Sequence, residues 1–432
     1  MISNAFSKPR SSYLKTVFLL LALAIWMVVP IIGIFPLLIY VELNYKNKII
    51  NHFLLAIVVI TLSVFNSSIY IHSDTENYLT AYEECGITSW LSCLENAKFE
   101  PFFYILSYPV FYFSNGSRIA FLIFWSLLIN TLTIFIICKA FSKKHAALLI
   151  IIVLLNPTFY TQNFLMRQFM ANTLFLSAIT LRKNKLLFII FILLSILTHY
   201  SVLIYLPLIF INFSYLNNKY LKKKKYIKTI KNIIYISSIF CLFLVSFLFK
   251  FNIQNIEYVV SFFNEPIFDF VTKKSDYFFN KSLVSQTFNI QLVYILLIGI
   301  SYIITLYKKA SVHELEKNIV LVEDKTHRTM IYLYILQASI FIITIDLDYL
   351  PLRLSLMLIA YSGIFFYPLF ENNLKLRYQA KLFIGFIIAF LAGYFIYYLY
   401  NIQLGNNIFN FLEGEVFTSS LVDYIEFILN KW

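Results

Sequence analysis

Asn156 to Ile179 reads NPTFYTQNFLMRQFMANTLFLSAI, with Arg167 as its one charge and none following until Arg182. A helix lying on a water-soluble domain would carry charges along one face. Here the polar residues are neutral amides and hydroxyls, so the stretch belongs in a bilayer. Arg167 then needs a reason, because a cation at membrane depth costs about 2.5–3.5 kcal/mol on insertion scales.

The rest of the chain agrees with this reading. Of 432 residues, 60% are hydrophobic and only 13% charged, against about a quarter charged in a soluble domain. Apolar runs of roughly 18 or more residues recur along its length, with no repeat period, no glycine-rich phosphate loop and no soluble domain. The fold class is all-α and polytopic. The net charge of +13 sits in short clusters between apolar runs, KKH at 143–145, RKNK at 182–185, LNNKYLKKKKYIK at 216–228 and KK at 308–309. Such clusters mark cytoplasmic loops and contact with anionic lipid, and call for no nucleic acid.

Spans are expected near 16–41, 50–70, 117–138, 145–157, 164–182, 185–198, 201–213, 232–250, 289–307, 329–346, 353–370 and 382–400, about twelve by the length a bilayer requires. They form one membrane domain over 1–432. Segments near 71–116 and 251–288 fall outside the cytoplasm, and basic loops near 214–231 and 308–328 fall inside. Thr16–Tyr40 is too long for a signal peptide core. Its Pro30 and Pro36 are compatible with a kinked helix or a tight hairpin, and only a hairpin keeps Lys8, Arg10 and Lys15 on the cytoplasmic side. Several spans are short, and 102–113 is shorter still. Such half-spans are tolerated where they line a polar cavity, which here would open outward.

Four groups of residues are candidates for chemistry. Arg167 lies among Asn156, Tyr160, Gln162, Asn163, Gln168 and Asn172; it either snorkels to the interface or serves a site, and its polar company favours the site. His199, in SILTHYSVLIYLP, either caps a helix end or transfers protons near neutral pH. Asp74 and Tyr78 in DTENY share a face if the segment is helical, and Glu100 follows in FEP. These carboxylates could act as a general base, whereas Glu83, Glu84 and Glu95 read as solvated. A metal set of His72, Asp74 and Glu76 has poor specificity, and no metal or cofactor is expected. In DLDYLPLRLS, Asp346, Asp348 and Arg353 either form a local ion pair or supply a second arginine to an anion clamp, a task that suits bidentate guanidinium groups. Cys85 and Cys93 share the 71–116 segment, where an oxidising compartment would permit a disulfide.

In order, DTENY, EP, the arginine of LMRQFMA and THYS resemble the EpsG-like group of bacterial polysaccharide polymerases, related in role to the Wzy O-antigen polymerases. The likeness runs from about residue 50 to 215, with IHSDT standing where GTDT is commoner. It implies a glycosyltransferase-type polymerase at the outer face of the bacterial cytoplasmic membrane, with its active site facing the periplasm or outside. Repeat units linked to undecaprenyl pyrophosphate would be joined into O-antigen, capsular or exopolysaccharide, with a chain-length regulator protein as a further partner. On that reading Arg167 and Arg353 hold the leaving pyrophosphate, Asp74 or Glu100 is the base, and His199 lies near the acceptor or leaving group. Tyr78, Tyr160, Gln168, Tyr200 and Asp348 bind substrate. Three other readings stand beside it: an O-antigen ligase, a lipid-linked sugar flippase or transporter, and a membrane O-acyltransferase.

Overall fold

A computed structural model describes residues 8–68, 74–95, 98–141, 145–206, 291–303, 325–343, 353–370, 378–403 and 419–431. The expected spans 201–213 (beyond residue 206) and 232–250, the 251–288 segment, the basic loop 214–231 and most of 308–328, together with His72, Asp346 and Asp348, lie outside the described residues. Among the described residues the chain is helical and contains no strand. Three helices are long and apolar enough to cross a membrane, Lys48–Ser67, Arg118–Lys139 and Leu382–Tyr400, and shorter apolar helices accompany them. The chain divides into two compact units, Met1–Val202 with Phe370–Trp432, and Leu203–Leu369.

The first unit opens with α1 (Lys8–Val28) and α2 (Pro30–Leu43). The sequence left a kink and a hairpin open here, and the structure forms a hairpin. Pro30 takes the first position of α2, where a missing N–H costs nothing. Phe18 stacks on Tyr40 with centroids 6.4 Å apart. A Cβ at Gly33 would overlap the Trp26 backbone, so glycine is what allows the two helices to approach. The hairpin brings Lys15 beside the Leu43–Asn47 turn, since all of these line one hollow. Lys15 and the NYKNK segment therefore share one end of the unit, as charge placement requires.

Next come α3 (Lys48–Ser67), α4 (Asp74–Gly86), α5 (Trp90–Glu95), α6 (Pro101–Ser114) and α7 (Arg118–Ile136). Among the described residues, the 71–116 segment is thus largely helical. Asp74 and Glu76 occupy the first turn of α4, where the helix dipole favours anions. A disulfide joins Cys85 to Cys93 and ties α4 to α5. Glu83 and Glu84 are not simply solvated: Arg118 bonds Glu83 through Nε at 2.5 Å and Nη2 at 2.9 Å, and Lys98 meets Glu84 at 2.9 Å. Burial raises the Tyr82 phenol above its ordinary range, and its hydroxyl meets Ser114 Oγ at 3.1 Å.

The short spans are short in the structure too. Helix α8 (Ala146–Leu154) has nine residues, about 14 Å by helical rise. A 3₁₀ turn at Pro157–Thr161 then leads into α9 (Met166–Leu181), followed by α10 (Lys185–Thr198). Asn156 caps the 3₁₀ turn through Thr158 N–H at 3.0 Å, and Asn184 caps α10. Ser195 Oγ on α10 donates to the Ala171 carbonyl on α9 at 2.7 Å, fastening these two helices.

In the second unit, the Tyr334 hydroxyl of helix Lys325–Ile343 donates to the Ile295 carbonyl at 3.0 Å. The expected span 353–370 is a chain of short pieces, Leu356–Ala360, Ser362–Phe365 and the 3₁₀ turn Tyr367–Phe370. Side chains take up backbone groups next to this broken segment: Gln337 Oε1 accepts Leu358 N–H at 2.6 Å, and the Tyr205 hydroxyl donates to the Leu354 carbonyl at 3.2 Å.

Candidate functional site

The dipeptide Glu100-Pro101 begins the site. A residue before proline is confined to extended backbone, and Glu100 has φ −65° and ψ 148° as N-cap of α6, with Pro101 in its first turn. The Glu100 carboxylate makes no capping bond to α6. It pairs instead with Arg167 Nη1 through Oε2, while Oε1 accepts the Tyr200 N–H at 3.4 Å. Both partners are largely out of water, with side-chain exposures of 15% for Arg167 and 8% for Glu100.

Arg167 is the second residue of α9. A helix N-terminus already carries positive partial charge, so a guanidinium there strengthens a field that attracts anions, and Glu100 supplies the anion. The Arg167 Cζ lies 4.0 Å from the centroid of the Phe99 ring and 5.4 Å from that of Tyr78, and both ring faces contribute cation–π attraction. Phe99 is held in turn, since the Tyr104 hydroxyl accepts the N–H groups of Lys98 at 3.0 Å and Phe99 at 3.3 Å. Arg167 Nε is buried without a hydrogen-bond partner, so the guanidinium keeps donor capacity beyond Glu100.

Beneath the pair lies a buried polar network. Asn163 Nδ2 donates to the Asn66 carbonyl at 2.5 Å, and Ser126 Oγ donates to Asn163 Oδ1 at 3.1 Å. Thr75 Oγ1 donates to the Asn163 carbonyl at 3.0 Å. Gln162 Nε2 donates to Asn130 Oδ1 at 2.9 Å, and Asn130 Nδ2 to Ser63 Oγ at 3.1 Å. These bonds link α3, α4 and α7 to the turn that precedes Arg167.

The residues picked out in the sequence are distributed unequally around this centre. Glu100, Arg167, Tyr78 and the Tyr200 backbone converge. His199 is the residue before Tyr200; its N–H closes α10 onto the Ser195 carbonyl at 3.1 Å, and its Nδ1 accepts the Ser201 N–H at 3.1 Å. An Nδ1 used as acceptor leaves Nε2 to carry the proton in the neutral ring. Asp74 is half-buried at the start of α4, one residue from Thr75, and Gln168 is buried beside Arg167 on α9. Tyr160 is elsewhere: it is fully buried, its hydroxyl donates to the Leu154 carbonyl at 2.8 Å, and it stacks on Phe395. Tyr200 exposes its ring while its backbone does the bonding. Arg353 is half-buried at the start of the broken segment in the second unit, and Asp348 lies outside the described residues.

Two contributors carry little signal in the sequence. Phe99 is one of many phenylalanines, although FEP places it directly before the carboxylate. Thr75 looks like an ordinary neutral polar residue until α4 meets the turn before α9, where it bonds Asn163.

Chemically, the arrangement offers one largely buried guanidinium on an aromatic bed, one carboxylate paired with it, and His199 next in sequence to Tyr200, whose N–H that carboxylate accepts. It suits a phosphate-type anion with adjacent proton transfer. The model of the EpsG family matches residues 52–412. No curated protein and no solved structure matches the chain.

Proposed function

This chain belongs to the EpsG family of Wzy-like polysaccharide polymerases, and from that premise we propose that it joins repeat units linked to undecaprenyl pyrophosphate at the outer face of the cytoplasmic membrane. About twelve passes around an outward-facing cavity would serve this work, consistent with the short α8 and the broken helices of both units. The hairpin of α1 and α2 supports the orientation, because the basic N-terminal end and the NYKNK turn then share the cytoplasmic side.

The observation that carries the proposal is the buried Glu100–Arg167 pair at the start of α9. Arg167 is the group that receives the donor's pyrophosphate, and Glu100 occupies that place until substrate arrives. An incoming pyrophosphate displaces the carboxylate from the guanidinium, and Glu100 becomes available beside the reacting sugars. An acceptor hydroxyl oxygen then attacks C1 of the donor sugar. The C1–oxygen bond to pyrophosphate breaks, the hydroxyl proton passes to the Glu100 carboxylate, and the lipid pyrophosphate departs with its growing charge on Arg167. His199 assists at the acceptor side, and Tyr78 holds the guanidinium in its plane. Asp74 is the alternative base.

The test is the polysaccharide ladder of a strain that carries Arg167→Ala or Arg167→Lys in place of the natural residue. Both variants should insert and fold yet leave single, unextended repeat units on the acceptor. Lysine fails because a point charge cannot replace the planar fork. A ladder of ordinary length in both would refute the assignment of Arg167. Complete absence of repeat units would point instead to ligation or flipping. Arg353→Ala, measured the same way, decides whether that arginine takes any part in elongation.

A further inference from the structure

We propose that Asn163 and Thr75 are positioning residues for Arg167, holding α4 against the start of α9 so that Tyr78 lies on the guanidinium. The inference rests on the anion-binding role just given to Arg167. Two contacts run side by side between these elements. Thr75 Oγ1 donates to the Asn163 carbonyl at 3.0 Å, and the Tyr78 ring lies 5.4 Å from Arg167 Cζ. Thr75 and Tyr78 are three apart on one face of α4, while Asn163 and Arg167 are four apart where the 3₁₀ turn gives way to α9. Fixing the first contact therefore sets the second.

Asn163 is itself clamped. Its amide donates to the Asn66 carbonyl at the end of α3 at 2.5 Å and accepts from Ser126 on α7 at 3.1 Å. Thr75, Asn66, Ser126 and Asn163 are all fully buried. A polar residue placed so deep costs desolvation that an apolar side chain of similar volume would avoid. What the polar residue supplies in exchange is a single geometry, since hydrogen bonds specify distance and angle where apolar contact does not. That geometry matters to a cation that must accept a pyrophosphate in a defined plane, because small misplacement of a binding group costs much of its effect.

The experiment uses the full-length protein in detergent, with farnesyl pyrophosphate as a soluble polyprenyl pyrophosphate probe. Dissociation constants and melting temperatures are measured for the natural protein, Thr75→Val, Thr75→Ser and Arg167→Ala. Valine keeps the shape of threonine and removes the donor. Binding should weaken about tenfold in Thr75→Val, because a misplaced guanidinium loses much of its effect on the anion, with a fall in melting temperature no larger than one lost internal hydrogen bond explains and serine restoring affinity. If Thr75→Val binds like the natural protein while Arg167→Ala does not bind, the positioning role is overturned and the reading of Arg167 survives. If Arg167→Ala binds normally, that reading fails, and the inference with it. Parallel loss of affinity and melting temperature in Thr75→Val that serine does not repair reduces the contact to scaffolding and overturns the proposal. Should Thr75→Val fail to fold, Ser126→Ala removes one arm of the Asn163 clamp and carries the same expectations.

Discussion

Two arginine–glutamate pairs stand in the same compact unit, Arg118 with Glu83 and Arg167 with Glu100, and they differ chiefly in their contact with water. Arg118 makes the fuller set of bonds, two to Glu83 and a longer approach to Glu76 at 3.8 Å. Its side chain is nevertheless 46% exposed, and that of Glu83 is 37% exposed. Arg167 makes one bond to Glu100 from a nearly dry setting between two aromatic rings. The contrast teaches that the number of bonds in an ion pair does not measure how strongly its partners depend on each other. In water the attraction is screened and largely offset by side-chain entropy. Out of water an unpartnered charge is strongly unfavourable, so Arg167 and Glu100 depend on each other far more than Arg118 and Glu83 do. On the function proposed above, that dependence is what an exchangeable anion site needs, and Arg118 lacks it.

The comparison can be broken most directly at Glu100. Glu100→Gln keeps the shape and can still accept the Tyr200 N–H, but removes the competing charge and the base. Elongation should fall by about 10²–10⁴ while farnesyl pyrophosphate binds more tightly, as direct binding measurements would show. Unchanged elongation, or weaker binding, would mean that Glu100 neither competes for Arg167 nor takes a proton. Glu100→Gln and Glu100→Ala both leave Arg167 buried without its counter-charge, so each should lose about 3–5 kcal/mol of stability; thermal unfolding reads it.

The disulfide comes next. Cys85→Ser with Cys93→Ser opens a loop of sequence separation 8, for which chain entropy predicts a loss of roughly 2–3 kcal/mol. Protease sensitivity confined to α4 and α5 would register it, and resistance equal to that of the natural protein would show that α4 is held by packing alone. His199→Ala removes the acceptor of the Ser201 N–H, a change of about 1 kcal/mol in stability. Elongation should fall by more than that loss explains. Proportionate loss of both would make His199 a turn former. The smallest effect is expected at Arg118: Arg118→Ala should cost about 0.2–1 kcal/mol and leave the ladder unaltered. A shortened ladder in that variant would erase the distinction between the two pairs.

Much of the candidate site was legible in the sequence, but as separate residues. Arg167 was visible because its neighbours are uncharged, and Glu100 as a carboxylate in FEP that follows DTENY. Their pairing was not visible, since 67 residues separate them and only the packing of α4, α6, α9 and α10 brings them together. Tyr160 shows the converse. It sits among amides in the sequence, yet the chain turns so that its hydroxyl meets the Leu154 carbonyl, inside the core. Glu83, Glu84 and Glu95 read as solvated because an external acidic stretch is ordinarily hydrated, whereas Glu83 and Glu84 pair with Arg118 and Lys98, and Thr75, Tyr78, Leu79 and Tyr82 of α4 are buried.

The sequence by itself determined that the chain is helical and lives in a membrane, because apolar length and scarcity of charge are additive properties that need no neighbours to express them. Prolines and caps such as Pro101 and Asn184 likewise act within a few residues of chain. Only the tertiary structure decided that Pro30 turns a hairpin, through Gly33 lying against Trp26, and that Glu100 answers Arg167. Both depend on which surfaces come into contact across many residues of chain, and local propensity holds no record of that.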